Sequence, residues 1–330
     1  MISVAMTTYN GENYILEQLQ SILSQEQSVD EIVICDDGSS DNTCQMIEDY
    51  ISSNRLSHVH LVKNKTNLGY KRNFIKAMML CHGDFVFLSD QDDIWLPNKV
   101  KRMMEAMKDE RVKVLASSFE CVDAQGSALR ERRENRLNND GLYKVRIVQE
   151  GECISIPFKE LLRENYFQGA SLCIRKELVK EICQSYQDYI THDWFINLWA
   201  AKYNGMYLLN EVLFQYRIHE QNNLGIPVLN HSFIEWFKQA NRFEKRALAF
   251  KTSSLFLSQM EQENDSFYLE NQIEMQEYRQ LFDSCLEILE KKQILKMIKM
   301  NRNNLYIYFR NKKTRIMDLL FVITHKGRRT

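Results

Sequence analysis

The first hundred residues alternate short apolar runs with stretches of helical period, and few architectures accept that alternation. Residues 2–6, 32–35, 59–62 and 85–88 are apolar runs too short for helices and read as strands. Between them Ile15, Leu16, Leu19, Ile22 and Leu23 recur at helical spacing. Met46, Ile47, Tyr50 and Ile51 do so after Asp41, and residues 74–80 form a third such stretch. A β-α-β-α order of this kind builds a mostly parallel sheet covered by helices on both faces. Such sheets bind ligands outside the carboxyl ends of their strands. Polar clusters stand at those ends: Thr7-Thr8-Tyr9-Asn10 after the first run, Asp36-Asp37-Gly38-Ser39 after the second, and Asp90-Gln91-Asp92-Asp93 after the fourth.

The last cluster packs three carboxylates into four residues. At the end of a buried strand they repel one another and lose hydration unless a cation neutralises them. Mg²⁺ and Mn²⁺ prefer oxygen ligands, and carboxylate-held Mg²⁺ usually holds substrate phosphates as well. An acidic run by itself reads as a solvated turn; its neighbours here make it a candidate metal–diphosphate site. The two earlier loops read as a nucleotide site. An Asp at the end of the second strand can accept a hydrogen bond from a pyrimidine N3–H, and Tyr9 can stack on a base. Ser39, Ser40 and Asp41 read better as a turn capping the next helix. In Asn67-Leu68-Gly69-Tyr70-Lys71-Arg72-Asn73, Gly69 permits a tight turn and the two cations can approach a base, ribose or phosphate.

From 112 to 225 the pattern is mixed: strands are expected at 112–116, 171–174, 207–209 and 212–217, helices at 176–186 and 193–203, and a polar loop at 130–141. Pro227 marks a break. Beyond it stand no proline and one glycine, Gly327, a composition that favours long helices. Eight cysteines without a C-x-x-C pair fit reduced thiols of the cytosol rather than a zinc site. The chain enters directly into its first strand, so no signal peptide is expected, and the apolar run 319–323 is too short to span a bilayer. A net charge of -1 gives no reason to expect nucleic acid as a partner. The charge is uneven, however: residues 291–330 hold twelve Lys or Arg against one acid, Asp318. That asymmetry suggests an anionic membrane surface as partner. With Ile294, Leu295, Ile298, Ile316, Leu320 and Phe321 interleaved, the tail suits an interfacial anchor or, alternatively, a helical bundle with its basic face in water.

Taken together, the segments Thr7-Thr8-Tyr9-Asn10-Gly11, Asp36-Asp37-Gly38-Ser39-Ser40-Asp41, Asn67-Leu68-Gly69 and Asp90-Gln91-Asp92-Asp93 resemble the inverting family 2 glycosyltransferases of the GT-A fold. The likeness continues through Phe167-Gln168-Gly169-Ala170, Thr191-His192-Asp193-Trp194 and Tyr216-Arg217-Ile218-His219. The last two are most similar to the bacterial rhamnosyltransferase branch. The resemblance implies that Thr8, Tyr9, Asp37 and the loop of Asn67, Gly69 and Arg72 hold the nucleoside of a nucleotide-sugar donor. It implies that Asp90 and Asp92 are the acids of the family's Asp-x-Asp motif, with Asp92 the direct ligand of Mg²⁺ or Mn²⁺, Asp93 supporting it, and His219 a late ligand or a contact to the diphosphate. Gly169 would let the backbone pass close to the donor sugar, and Asp193 would be the general base. From the residues alone, Asp193 can equally be an N-cap, and His192 can be the base instead.

The expected organisation is a GT-A domain over 1–225, with a nucleotide-binding half (1–110) and an acceptor half (111–225), followed by a helical region over 226–330. The expected function is metal-dependent, inverting transfer of a sugar, best L-rhamnose from dTDP-rhamnose, onto a lipid-linked glycan in capsule, O-antigen or cell-wall polysaccharide synthesis. The enzyme would be cytoplasmic and peripheral on the inner face of the cell membrane, as a monomer or homo-oligomer. Alternatives are a UDP-hexose donor on the same fold, a sugar nucleotidyltransferase, and a non-catalytic nucleotide-sugar-binding protein. A nucleotidyltransferase would want a Gly-rich basic loop where Thr7 to Gly11 offers no cation, and a non-catalytic protein would have lost the acids.

Overall fold

A computed structural model describes residues 1–129, 148–220 and 243–324. The loop expected at 130–141, the residues Asn222, Asn223 and Pro227, and the basic residues Lys326, Arg328 and Arg329 lie outside the described residues. The chain divides into two compact units, Met1–Leu161 with Asn165–Ile226, and Leu162–Glu164 with Pro227–Thr330.

The first unit runs β1 (Ile2–Thr8), α1 (Ile15–Leu23), β2 (Glu31–Asp36), α2 (Thr43–Asn54), β3 (Val59–Lys63), α3 (Tyr70–Leu80), β4 (Phe85–Ser89), β5 (Ile94–Trp95), α4 (Lys99–Ala106), β6 (Val114–Val122), β7 (Cys153–Ser155), α5 (Phe158–Leu161), β8 (Leu172–Arg175), α6 (Lys176–Ser185), α7 (His192–Ala201) and β9 (Met206–Arg217). The strands form one nine-stranded sheet in the order β3-β2-β1-β4-β8-β6-β9-β5, with β7 also on β9. β1 is parallel to β2 and β4, β2 to β3, and β6 to β9, whereas β8, β5 and β7 run against their neighbours. The α/β architecture and the parallel β1–β4 half are therefore as the alternation predicts, while the later strands make the sheet mixed. β1 and β2 are buried at every residue, as strands covered on both faces must be. β3 carries exposed His60 and Lys63, polar residues suited to a sheet edge. Val4, Met6, Ile32 and Ile34 meet Ile15, Leu19 and Ile22 of α1 in the core, which continues through Trp95, Val100 and Met103 to Leu213 and Phe214.

Two differences from expectation bear on the site. The runs 207–209 and 212–217 form one strand, β9, which absorbs a register shift against β6 between Ser117 and Ser118. The two-residue β5, too short to carry a periodic signal, pairs Ile94 with Gln215 and Trp95 with Phe214. It thereby draws the acid cluster against the end of β9.

The second unit is helical: α8 (Phe243–Gln262), α9 (Ser266–Glu270), α10 (Gln272–Glu290), α11 (Ile294–Met300), α12 (Asn304–Phe309) and α13 (Lys312–Thr324). Only α8 and α10 are long. Without proline or glycine the chain still breaks its helices, at Asn264 and Lys292 in the left-handed region (φ 53° each) and at Asp265 and Asn303. The side chains of Asp265 and Asn303 cap α9 and α12 by accepting from Tyr268 N and Tyr306 N. The core of this unit is aromatic, built on Phe250, Tyr278, Phe282 and Phe309. A buried Asp318 accepts from Arg246 Nη1 at 2.6 Å and Tyr306 Oη at 2.9 Å, so its charge is paired and bonded as burial requires.

Candidate active site

The loops after β1 and β2 are tied together by side chains. Thr8 Oγ1 donates to Asp36 Oδ2 at 2.9 Å, and Asp36 Oδ1 accepts from Ser39 N at 2.9 Å and Gly38 N at 3.1 Å. Burial pushes the Asp36 carboxyl up, but these bonds, led by those from Ser39, outweigh it and hold Asp36 ionised. Asp41 stands one residue before the N-cap of α2, Asn42, and accepts from Thr43 N at 3.0 Å. This is the turn expected for that segment.

Asp37 is more committed than its expected nucleoside role suggests. Its Oδ1 accepts from Leu68 N and Asn64 Nδ2, and its Oδ2 from Gly69 N, all at 2.8 Å. Gly69, at φ 79°, adopts a backbone that a side chain would strain. Asn67 Nδ2 donates to Asp37 O at 3.0 Å, so Asp37, Asn67 and Gly69 form one clasp. Arg72 is not brought to it: its guanidinium pairs with Asp188 at 2.5 Å, and Lys71 Nζ donates to Asp188 O at 2.6 Å. The ring of Tyr9 stands 48% exposed beside the clasped loops. Its backbone is held by Gln91, whose Oε1 accepts from Tyr9 N at 2.8 Å and whose Nε2 donates to Tyr9 O at 3.0 Å. Gly11 leaves room for this, since a Cβ there would lie 2.2 Å from Gln91 Oε1.

The acid cluster bridges β4 and β5. His219, just past β9, meets Asp92 Oδ2 through Nε2 at 2.8 Å and lies against Tyr14, ring centroids 4.7 Å apart. Arg217, 1% exposed, donates from Nε to Asp92 O at 2.8 Å and from its backbone N to Asp93 Oδ1 at 3.3 Å, and its Nη2 pairs with Glu17 at 2.5 Å. Below the cluster Lys99 is fully buried. Its ammonium donates to Ala170 O at 2.7 Å and lies 4.3 Å from the ring centres of Trp95 and Phe214. Burial, then the charge of Asp92, then that of Asp193 push Asp90 up to about 8. Burial with Asp92 and Asp90 raises Asp93 well above the ordinary carboxylate range. Burial lowers Lys99 to about 7 although Asp93 opposes it. Three carboxylates this close leave an excess of negative charge that a bound cation would offset. Among the described residues no three His, Cys, Asp or Glu side chains already meet as a metal cage. Asp92, with His219 bonded to it, and the neighbouring carboxylates are the residues that could hold a hard divalent ion.

Asp193 lies in the first turn of α7, 8% exposed, with Oδ1 accepting from Trp194 N at 2.7 Å. The N-cap is Thr191, so Asp193 is not the capping residue. Burial and then the charges of Asp193 and Asp90 raise the phenol of Tyr70. Gly169 abuts His192: a Cβ there would lie 2.6 Å from Nε2. His192 stacks on Phe74 with ring centroids 4.2 Å apart.

The fold thus gathers Asp90, Asp92, Asp93 and His219, brings Asp193 within electrostatic reach of Asp90, and clasps Asp37, Asn67 and Gly69, while Arg72 turns to Asp188. Gln91, Tyr70, Lys99 and Arg217 were not singled out by the sequence reading. Gln91, Tyr70 and Arg217 sit inside motifs named above, but their partners are set only by the fold. Lys99 carried no signal, because its meaning depends on the β5–β9 pairing.

The sequence profile described as Glycosyl transferase family 2 matches residues 3–170. The chain is 30% identical over 233 residues to the dTDP-rhamnosyl transferase RfbG of Shigella flexneri, covering 68% of this chain and 74% of that protein. It is 28% identical over 123 residues to the UDP-Glc:alpha-D-GlcNAc-diphosphoundecaprenol beta-1,3-glucosyltransferase WfgD of Escherichia coli, covering 37% of this chain and 47% of that one. In fold it is similar to S. aureus TarS residues 1–349, crystallised with UDP-GlcNAc, at a TM-score of 0.55 and 17% identity over 97% of this chain and 89% of that one. With a strand-end acid cluster, a clasped loop pair and a profile match over half its length, the chain belongs to glycosyl transferase family 2.

Proposed function

We propose that the protein is a metal-dependent, inverting glycosyltransferase that moves L-rhamnose from dTDP-rhamnose onto a lipid-linked glycan during surface polysaccharide synthesis. The observation that carries the reading is the Asp193 carboxylate within electrostatic reach of an acid cluster at the carboxyl edge of a parallel sheet. Rhamnose rests on the relative named as a dTDP-rhamnosyl transferase. The lipid-linked acceptor rests on the relative whose name carries a diphosphoundecaprenol acceptor. That same relative, named for a UDP-Glc donor, favours UDP-hexose as the second reading.

Thr8, Tyr9 and the loop clasped by Asp37 hold the nucleoside, with the exposed Tyr9 ring available for stacking. Asp92, with His219 bonded to it and Asp93 behind, would hold Mg²⁺ or Mn²⁺, which when bound neutralises charge on the departing diphosphate. Asp193 accepts the proton of the acceptor hydroxyl as that oxygen bonds to the anomeric carbon. The anomeric carbon–oxygen bond to the nucleoside diphosphate breaks on the opposite face, so a single displacement inverts the centre. Residues 291–330 attach the enzyme to an anionic membrane surface on the cytoplasmic side.

The test is acceptor-free hydrolysis. The protein, given a panel of nucleotide sugars with Mg²⁺ or Mn²⁺, is expected to release dTDP slowly from dTDP-rhamnose and to stop in chelator and as Asp92→Asn. Release from UDP-glucose alone would assign the donor to the second reading. Undiminished hydrolysis in chelator would remove the metal.

A further inference from the structure

Between α5 and β8 the chain changes units twice. It belongs to the first unit up to Leu161 and again from Asn165 onward, while Leu162–Glu164 are built into the second. The two flanks are tied to one helix of the first unit. Leu161 O, at the end of α5 where helix carbonyls lack an intrahelical partner, accepts from Trp194 Nε1 at 2.8 Å. Asn165 Oδ1 accepts from Asn197 Nδ2 at 3.1 Å, and the same amide donates to Phe167 O at 3.1 Å. Trp194 and Asn197 both lie on α7, whose first turn carries Asp193. The middle is tied within the second unit. Leu162 O accepts from Ser253 Oγ of α8 at 2.7 Å, and the Arg163 guanidinium lies 5.7 Å from the ring centre of Tyr308.

Burial makes these ties firm. Leu161, Leu162, Asn197 and Ser253 are at most 1% exposed, and Trp194 is 5% exposed. A buried carbonyl that loses its donor costs about 1–3 kcal/mol. A serine inside a helix ordinarily faces water or bonds the carbonyl four residues back; Ser253 instead reaches a carbonyl 91 residues away in sequence. One peptide bond separates that carbonyl from the one Trp194 holds. Trp194 N in turn donates to the Asp193 carboxylate at 2.7 Å. A continuous run of buried hydrogen bonds and peptide bonds therefore leads from Ser253 through Leu162, Leu161 and Trp194 to Asp193.

We propose that residues 161–165 are a strap through which the helical unit fixes α7, and that Ser253 is a positioning residue for Asp193. The proposal rests on the reading of Asp193 as the base. A base works only within hydrogen-bond reach of the proton it takes. A misplacement of about 1 Å lowers such a rate about a hundredfold. By holding the middle of the strap, the helical unit sets where the two flanks, and with them Trp194 and Asn197, hold the helix of the base. Its part in the reaction is then separate from any attachment to a surface.

The test uses the full chain with dTDP-rhamnose or UDP-glucose and Mg²⁺, with water as the acceptor. Ser253→Ala, Trp194→Phe and the double variant are compared with the unaltered protein in kcat, donor KM, dTDP and UDP affinity, and denaturant unfolding. Ser253→Ala should leave donor KM and nucleotide affinity unchanged and lower kcat about ten- to a hundredfold. Both changes cut the same run of bonds, so the double variant should turn over no more slowly than the slower single one. A serine that only stabilises its own unit would lower the unfolding midpoint and leave kcat intact. That outcome, a loss confined to KM or nucleotide affinity, or losses in kcat that multiply, overturns the strap. Should Trp194→Phe fail to fold, Asp193→Asn takes its place in the cycle, and Ser253→Ala should then cost no more than about twofold. If Asp193→Asn loses turnover while Ser253→Ala keeps it, the base stands and the strap alone falls. Full turnover in Asp193→Asn would remove the base, and the strap with it.

Discussion

Asp193 occupies the first turn of a ten-residue helix, where the backbone N–H groups favour a carboxylate and fix its direction through the bond from Trp194 N. That bond fixes the direction of the carboxylate. Asn is the same shape and can still accept from Trp194 N, so Asp193→Asn is expected to fold normally and bind donor with nearly unchanged affinity. Turnover should fall by roughly two to four orders of magnitude, the usual cost of a lost general base. Nucleotide titration beside single-turnover rates checks this; lost binding with turnover retained at saturation would move Asp193 out of the catalytic role. Acids and histidines of this kind were legible in the sequence because their chemistry is unusual at a strand end or helix start. Lys99 was not, since nothing local distinguishes a core lysine from a surface one. Its burial between Trp95, Phe214 and Ala170 O exists only once three distant segments have met. Asp37 was legible as important but not as a clasp, because the backbone donors it satisfies lie some thirty residues away.

At the scale of elements, β1, β2 and β4 and the helices between were readable because buried parallel strands are continuous apolar runs. β3, partly exposed at the sheet edge, was readable by the short run 59–62 that it still keeps. β5 and β7, two and three residues long, were not, and neither were the Asn and Asp breaks that divide the C-terminal helices. The connection that matters most for the site is also illegible in advance. Gln91 reaches across to the backbone of Tyr9 on both sides and so hitches the acid loop to the end of β1. Gly11→Ala should unhitch it. The new Cβ would meet the flexible end of Gln91, so the amide swings away and the loss is its hydrogen bonds, about 1–3 kcal/mol in all. Activity should fall more than stability, because the acid loop and the Tyr9 loop lose their common tie. In a Gln91→Ala background the same Gly11→Ala change should be nearly neutral, because no amide remains to displace. Denaturant unfolding and donor hydrolysis of the four proteins in this cycle measure it. Additive losses would show that Gln91 is not the link.

For the whole molecule the remaining question is where it works. Among the described residues no helix is long and apolar enough to cross a membrane. Attachment to one, if present in this part of the chain, must lie at the surface. The final helix, α13, buries Asp318, Phe321 and Val322 on one face and exposes Ile316, Leu320 and Ile323 on the opposite one, with Lys312 and Lys313 exposed at its start. In α11, Leu295 and Ile298 stand exposed beside exposed Lys296 and Lys299. Aliphatic side chains bordered by lysines are what an anionic interface takes up: each cation near the surface contributes about 1 kcal/mol, and each buried methylene about 0.8 kcal/mol. The protein is expected to sediment with vesicles containing anionic lipid at low salt, to release as salt rises, and to ignore vesicles of neutral lipid. Replacing Ile316 and Leu320 by Asp should weaken sedimentation at all salt concentrations, whereas replacing Lys312 and Lys313 by Glu should weaken it chiefly at low salt. Failure of the unaltered protein to sediment with anionic vesicles at low salt would mean that these side chains face another protein or water. A lipid-linked acceptor makes such attachment useful: it confines enzyme and acceptor to one surface, and their effective concentration rises without any new contact between them.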